Sequence, residues 1–244
     1  MSKVLTEQKE RSMLFNDGWT FNLGDIQGAK EKEFNDDSWR KLTLPHDWSI
    51  EQDFNKNSPS THEGGYLDGG VGWYRKTFVL PKSMEGKKIS IDFDGVYMDS
   101  YVYVNGTQVG NHPYGYTPFS FDITKNLVCD GVTENVIAVK VNNKQPSSRW
   151  YSGSGIYRDV HLTVTEKVSV DKYGTFVTTP NLEEEYKKGR ALVDIKTDIL
   201  NEESEDKNVK VTSTIYDADG KNVGETSTTE LVNKNSEKQF SHEV

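Results

Sequence analysis

The stretch KKISIDFDGVYMDSYVYVNGTQVG, residues 87–110, decides the fold. Ile89, Ile91 and Phe93 alternate with Ser90, Asp92 and Asp94, so one face of an extended segment is apolar and the other polar. This period of two predicts a half-buried antiparallel strand. Downstream, Tyr101 and Tyr103 stand opposite Val102 and Val104, and Asn105-Gly106 supplies the strongest short hairpin signal. The strands on either side of it are expected to pair.

Outward from this hairpin, Trp73 to Leu80, Asn135 to Val141 and Asp159 to Thr165 read as further strands. No long helical periodicity competes with them. Short strands separated by Gly, Asn, Asp and Pro at roughly 8 to 12-residue spacing predict a β-sandwich of jelly-roll topology. After about Thr165 aromatics thin out, and Lys, Glu, Asp and Thr rise around ALVDIKTDIL and NVKVTSTIYD. A second, smaller sandwich of immunoglobulin-like pattern is expected there, with Ala191, Val193, Ile195 and Ile199 on one face and a turn at Asp219-Gly220. The expected fold class is thus all-β, a jelly roll over residues 1–166 followed by a partial immunoglobulin-like sandwich over 167–244. The second part is smaller than the seven strands and roughly 100 residues of such a module, so it reads as truncated, with an exposed edge.

At 244 residues, 34% hydrophobic and 11% aromatic, the chain has the means to build a core. Its net charge of -9 repels a phosphate backbone and its Lys and Arg are scattered, so no nucleic acid partner is expected. The one thiol, Cys129, permits no internal disulfide. The opening MSKVLTEQKERSML holds no apolar run of signal-peptide length, and no stretch elsewhere reaches membrane-spanning length. A soluble, cytoplasmic protein without membrane partners is the expectation. The histidines at 46, 62, 112, 161 and 242 lack metal-ligand spacing, so neither metal nor cofactor is anticipated. Oligomeric state leaves no mark on the sequence.

Chemistry concentrates in three aromatic-rich loops, LPHDWSIEQDF (44–54), EGGYLDGGVGWY (63–74) and SRWYSGSGIYR (148–158). Sugars present C–H faces and hydroxyl edges, which aromatic rings and Arg, Asp or Asn can meet. The glycines around Tyr66 and Asp68 suit either a recognition loop or a plain flexible connection. Trp150 and Tyr151 have two readings as well, capping the core, which the residues alone favour, or offering stacking faces. Arg158 and Asp159 read as a structural polar pair. His46-Asp47 suggests acid/base work, yet neighbours in a loop point in different directions. A glycosidase needs two carboxylates flanking the scissile bond, and nothing in the pattern of Asp and Glu announces them.

In order, FNDGWTFNLGD (15–25), DDSWRKLTLPHDWSI (36–50), GGVGWYRKTFVLP (69–81), YVYVNGTQVG (101–110), GYTPFSFDIT (115–124) and RWYSGSGIYRDV (149–160) resemble the N-terminal region of glycoside hydrolase family 2, β-galactosidase type. The resemblance implies a sugar-binding jelly roll, then an immunoglobulin-like domain, then a TIM barrel carrying both catalytic glutamates of a retaining enzyme, the barrel being absent here. It implies no catalytic residue in this chain. Arg149 falls where several members carry an aspartate that meets the sugar, and a guanidinium must donate where a carboxylate accepts. Trp150 and Tyr151, which follow it, are the further candidates for contact with the sugar. The family's other sugar contact maps to Asp68 or Gly69 without choosing between them. The implied partners are a carbohydrate and the barrel domain. A free-standing carbohydrate-binding module is the alternative, and an adhesive sandwich protein a third.

Overall fold

The computed structural model describes Leu5, residues 11–146 and residues 153–244. It divides into two compact units, Met1–Val164 and Thr165–Val244. The first contains β1 (Ser12–Leu14), β2 (Trp19–Leu23), β3 (Arg40–Leu42), β4 (Gly70–Val79), β5 (Lys88–Phe93), β6 (Ser100–Val104), β7 (Thr107–His112), β8 (Phe119–Asp122), β9 (Glu134–Asn143) and β10 (Val160–Thr165). A six-stranded sheet runs in the order β3-β2-β4-β9-β6-β7, and a four-stranded sheet in the order β1-β10-β5-β8.

The period-two pattern of residues 89–93 does what it predicts. Ile89, Ile91 and Phe93 join Leu162 in a core shared with Phe78, Val102, Val139 and Val141 of the larger sheet. Asp92, on the opposite face, is buried as well, because Ser120 and Thr163 of the flanking strands donate to its two carboxylate oxygens. Hydrogen bonds to both oxygens make that burial tolerable. Asn105 and Gly106 take φ of 48° and 84°, the left-handed pair that a two-residue turn demands, and β6 and β7 pair across it.

The outer face of the larger sheet is covered too. Arg75, 1% exposed, donates to the carbonyls of Glu31 at 2.9 Å and Phe34 at 3.2 Å and lies 3.4 Å from Asp36, which fastens the connection between β2 and β3 over Trp73 and Ala138. Beside it lies a cleft of about 570 Å³ whose lining mixes Lys32, Lys41 and Arg75 with Asp36 and Glu134. The register sets Gly70 against Asn143 and Ser100 against both Val141 and His112, so at one end of the sandwich the β3–β4 and β5–β6 connections arrive and the β7–β8 and β9–β10 connections leave, the first of them having left β3 at Leu42, beside Trp19.

The second unit contains β11 (Val168–Thr178), the short helix α1 (Leu182–Lys187), β12 (Asp194–Asn201), β13 (Lys207–Tyr216), β14 (Asn222–Val232) and β15 (Ser236–Glu243). Its sheets are β11-β12-β15 and β13-β14. Ile199, Val232 and Phe240 form its core, and Thr197, Asn201 and His242 are buried alongside. Two of the polar members are bonded through one side-chain nitrogen each: Asn201 Nδ2 donates to the Val232 carbonyl at 3.0 Å, and His242 Nδ1 lies 2.8 Å from Ser213 Oγ. The expected apolar face is corrected at one point. β12 starts at Asp194, so Ala191 stays exposed, and Thr197 and Asn201 take the inward positions beside Ile195 and Ile199. Asp217 Oδ1 closes the 217–221 turn by accepting from the amides of Asp219 and Lys221. No helix among the described residues is long and apolar enough to cross a membrane.

Candidate functional site

The β3–β4 and β9–β10 connections carry the three loops singled out in the sequence, and the structure brings their described parts together. Asp47 is the joint. Its Oδ1 accepts the amide of Ser49 at 2.9 Å and, across the fold, the amide of Ser154 at 2.8 Å. Main-chain bonds from His46 N to Ile156 O (2.8 Å) and from Trp48 N to Ser154 O (2.9 Å) zip the first loop to the Ser154–Ile156 segment. On its other side that segment exchanges bonds with Tyr97 in both directions, Gly155 N to Tyr97 O at 2.8 Å and Tyr97 N to Gly155 O at 2.9 Å. A residue flanked this closely has room for nothing larger than glycine. A Cβ on Gly155, at φ 132°, would stand 2.3 Å from Tyr74 Oη and 2.5 Å from His46 O.

A relay of side chains then reaches the glycine-rich loop. Asn143 Nδ2 donates to Ser154 Oγ at 2.7 Å, Ser154 Oγ lies 2.6 Å from Ser49 Oγ, and Ser49 Oγ donates to the Asp68 carbonyl at 2.9 Å. Donors and acceptors alternate consistently along the relay, so each bond polarises the next. Gln52 Nε2 also donates to the Asp68 carbonyl, at 3.0 Å. Gly69 is held from both sides: its amide donates to Gln145 Oε1 at 2.9 Å and its carbonyl accepts from Trp48 Nε1 at 3.1 Å. A side chain there would strike Asn143, since a Cβ would sit 2.5 Å from that residue's carbonyl. The Asp68 carbonyl and both main-chain groups of Gly69 are thus occupied, whereas the Asp68 side chain is not. Its Oδ1 is shut off from solvent without a hydrogen-bond partner.

His46 and Asp47 do not act together. The His46 ring sits 2.7 Å from Tyr74 Oη through Nδ1 and 3.4 Å from Glu51 Oε1 through Nε2, while Arg40 grips Glu51 with two bonds of 2.6 and 2.7 Å. Burial pushes the His46 pKa down against the opposing pull of Glu51 and pushes that of the Tyr74 phenol well up; the bond from Arg40 holds Glu51 below the usual carboxylate range. A neutral imidazole packed on Phe21 and Tyr74 supports the floor beneath Gly155. Trp48 likewise belongs to the core, stacked on Phe21 at 5.6 Å.

Of the residues expected to meet a ligand, Asp68 and Gly69 stand in this junction, whereas Arg149, Trp150 and Tyr151 lie outside the described residues. Asp159 is tied to Asn16, whose Nδ2 donates to it at 2.8 Å. Ser49, Asn143, Gln145 and Ser154 escape a reading of the sequence. The Asp-x-Ser spacing of 47–49, a turn-forming pattern, is the one local signal that pointed to them. Among the described residues no cluster of His, Cys, Asp and Glu could hold a metal ion.

Residues 16–166 match the model of the glycosyl hydrolases family 2 sugar binding domain. The chain is 48% identical over 226 residues to a β-galactosidase of Bacteroides ovatus, the match covering 92% of this chain and 26% of that protein. It is 32% identical over 241 residues to a β-glucuronidase of Formosa agariphila, with coverage of 90% and 24%. A crystal structure of a family 2 glycosyl hydrolase from Bacteroides cellulosilyticus superposes with a TM-score of 0.89 at 34% identity, over 96% of this chain and 30% of that one. The chain thus spans about a quarter of the length of these two curated relatives. An all-β sandwich whose loops are joined at Asp47 and Ser154, matched over residues 16–166, belongs to glycoside hydrolase family 2 as its sugar-binding N-terminal domain.

Proposed function

We propose that this chain is the sugar-positioning part of a β-galactosidase-like enzyme that cleaves its glycoside with retention. Both catalytic glutamates then belong to a TIM barrel outside these 244 residues, and the second unit is an immunoglobulin-like spacer. The observation that carries the reading is the unmet acceptor of Asp68, beside a main chain whose Asp68 carbonyl, Gly69 amide and Gly69 carbonyl are bonded. A buried acceptor without a partner costs about 1–3 kcal/mol, which a sugar hydroxyl donating to it recovers. Gly69 has spent both main-chain groups, so Asp68 is the better of the two aligned positions. Arg149, Trp150 and Tyr151 complete the contacts, Arg149 by donating to sugar oxygens. By fixing the glycosyl unit, such contacts lower the entropy cost of reaching the transition state.

The guanidinium of Arg149 and the relatives that are β-glucuronidases favour a second reading, in which the sugar carries a carboxylate. Kinetics of the longer protein on nitrophenyl β-galactoside and β-glucuronide separate the two. The first reading expects higher kcat/KM on the galactoside and a fall in it for Asp68→Ala. Preference for the glucuronide, abolished by Arg149→Gln, replaces it with the second. The purified 244-residue chain is expected to release no nitrophenol from either, and release would overturn the non-catalytic role.

A further inference from the structure

The ladder that joins β4 to β9 ends at Gly70 and Asn143, and past that point a side chain continues it. Lys144 turns its amide back on the Asn142 carbonyl, at 3.0 Å, instead of crossing to the neighbouring connection. Gln145 crosses in its place. Its Oε1 accepts the amide of Gly69 at 2.9 Å, and its Nε2 donates to the carbonyl of Leu67 at 3.2 Å. One carboxamide thus bonds the main chain on both sides of Asp68. It accepts and donates through two different atoms, which neither a carboxylate nor an ammonium can do.

Gly69 makes the approach possible, because a Cβ there would stand 2.9 Å from the carboxamide carbon of Gln145. The carbonyl of Asp68 itself is held by Ser49 Oγ and Gln52 Nε2, both from the β3–β4 connection, whereas Gln145 reaches in from the β9–β10 connection. The second connection is therefore fastened to the first at two places, by Gln145 at its start and by Ser154 further along. The candidate contacts Arg149, Trp150 and Tyr151 fall between these two fastenings in sequence. With the peptides on either side of it held, Asp68 presents its carboxylate from a fixed backbone. A group already held in place loses less entropy when it meets a ligand.

We propose that Gln145 is a positioning residue for the sugar contact made by Asp68, holding the main chain at 67 and 69 so that the carboxylate stands ready for a sugar hydroxyl; this rests on the reading of the site given above. Gln145 needs no contact with the sugar to do so, since the oxygen and the nitrogen of its carboxamide are both engaged with the loop. It is half-buried and lies beyond the last pair of the β4–β9 ladder. Loss of its two bonds therefore loosens the Asp68 loop while the apolar core between the sheets stays closed.

Titrating the labelled chain and two variants with methyl β-galactoside, followed by NMR, tests this. Gln145→Met keeps the length of the side chain and neither bond, and Gln145→Glu keeps the bond from Gly69 while losing the one to Leu67. The dissociation constant should rise about three- to tenfold in Gln145→Met and by less in Gln145→Glu. Without sugar, the Gly69 amide of Gln145→Met should exchange faster with solvent, while Ile91 and Val139 stay as protected as in the wild type. Affinity in Gln145→Met equal to that of the wild type, with binding still lost in Asp68→Ala, overturns the positioning role and leaves the sugar site standing. Weaker binding accompanied by lost protection at Ile91 and Val139 overturns it in favour of a general loosening of the fold. Gln145→Glu binding as tightly as the wild type removes the Leu67 bond from the account and overturns the two-sided clamp. Amides of Asp68 and Ser154 silent to the sugar in the wild type sink the reading of the site and the positioning role with it.

Discussion

In the first unit two sheets enclose Trp19, Tyr74, Phe78, Ile91, Phe93 and Val139 in one apolar core, whereas in the second the fully buried apolar side chains are Ile199, Val232 and Phe240, beside polar Thr197, Asn201 and His242. Because burial of apolar area is the main favourable term, the first unit has stability in reserve and the second has little. Reserve is what lets the first unit hold features that a thin core would not tolerate: a glycine at φ 132° packed against a phenol and a buried arginine. The loops of the candidate site belong to the unit that can absorb their cost.

Substitutions test this contrast in order of expected effect. Gly155→Val forces a Cβ into Tyr74 and a β-branched residue into left-handed φ, which together cost about 3–5 kcal/mol. The first unit's melting transition should drop by about 10 °C with the second unit's unchanged, as read by calorimetry. Phe240→Ala and Ile91→Ala each remove a large buried group at a cost of about 2–5 kcal/mol. Amide exchange should show the second unit open in the Phe240 variant and the first still closed in the Ile91 variant. Equal loss of protection in both variants would break the comparison.

A smaller effect concerns Lys76, which faces the core, donates to the Asp17 carbonyl and lies 4.0 Å over the Phe15 ring. Burial pushes its pKa down to about 8 from 10.5, so the folded state releases its proton before the unfolded state does. Stability therefore rises with pH between about 8 and 10.5, by at most about 3 kcal/mol. Urea midpoints of wild type minus Lys76→Met should climb across that window. A flat difference would show that the ammonium is solvated.

The strands were legible because a period of two survives in any sheet half exposed to water; residues 89–93 and the turn at Asn105-Gly106 sit where it places them. Where polar residues face inward the pattern fails. Thr197 and Asn201 break the alternation of β12, and Lys76 and Arg75 hide in a strand that reads as apolar. The three loops stood out in the sequence, but the junction of their described parts did not. Its bonds join residues far apart in sequence, Asp47 to Ser154 and Gly69 to Gln145, and local spacing carries no trace of such partners.

The central claim is that the Asp68 loop and the Ser154 segment form a sugar site, and amide shifts of the labelled chain titrated with methyl β-galactoside test it most directly. The account predicts saturable shifts at Ser49, Asp68, Gly69 and Ser154, with a dissociation constant on the order of 10 mM for a half-open pocket, lost in Asp68→Ala. Amides silent there, or shifts confined to the second unit or to the cleft beside Arg75, would contradict it.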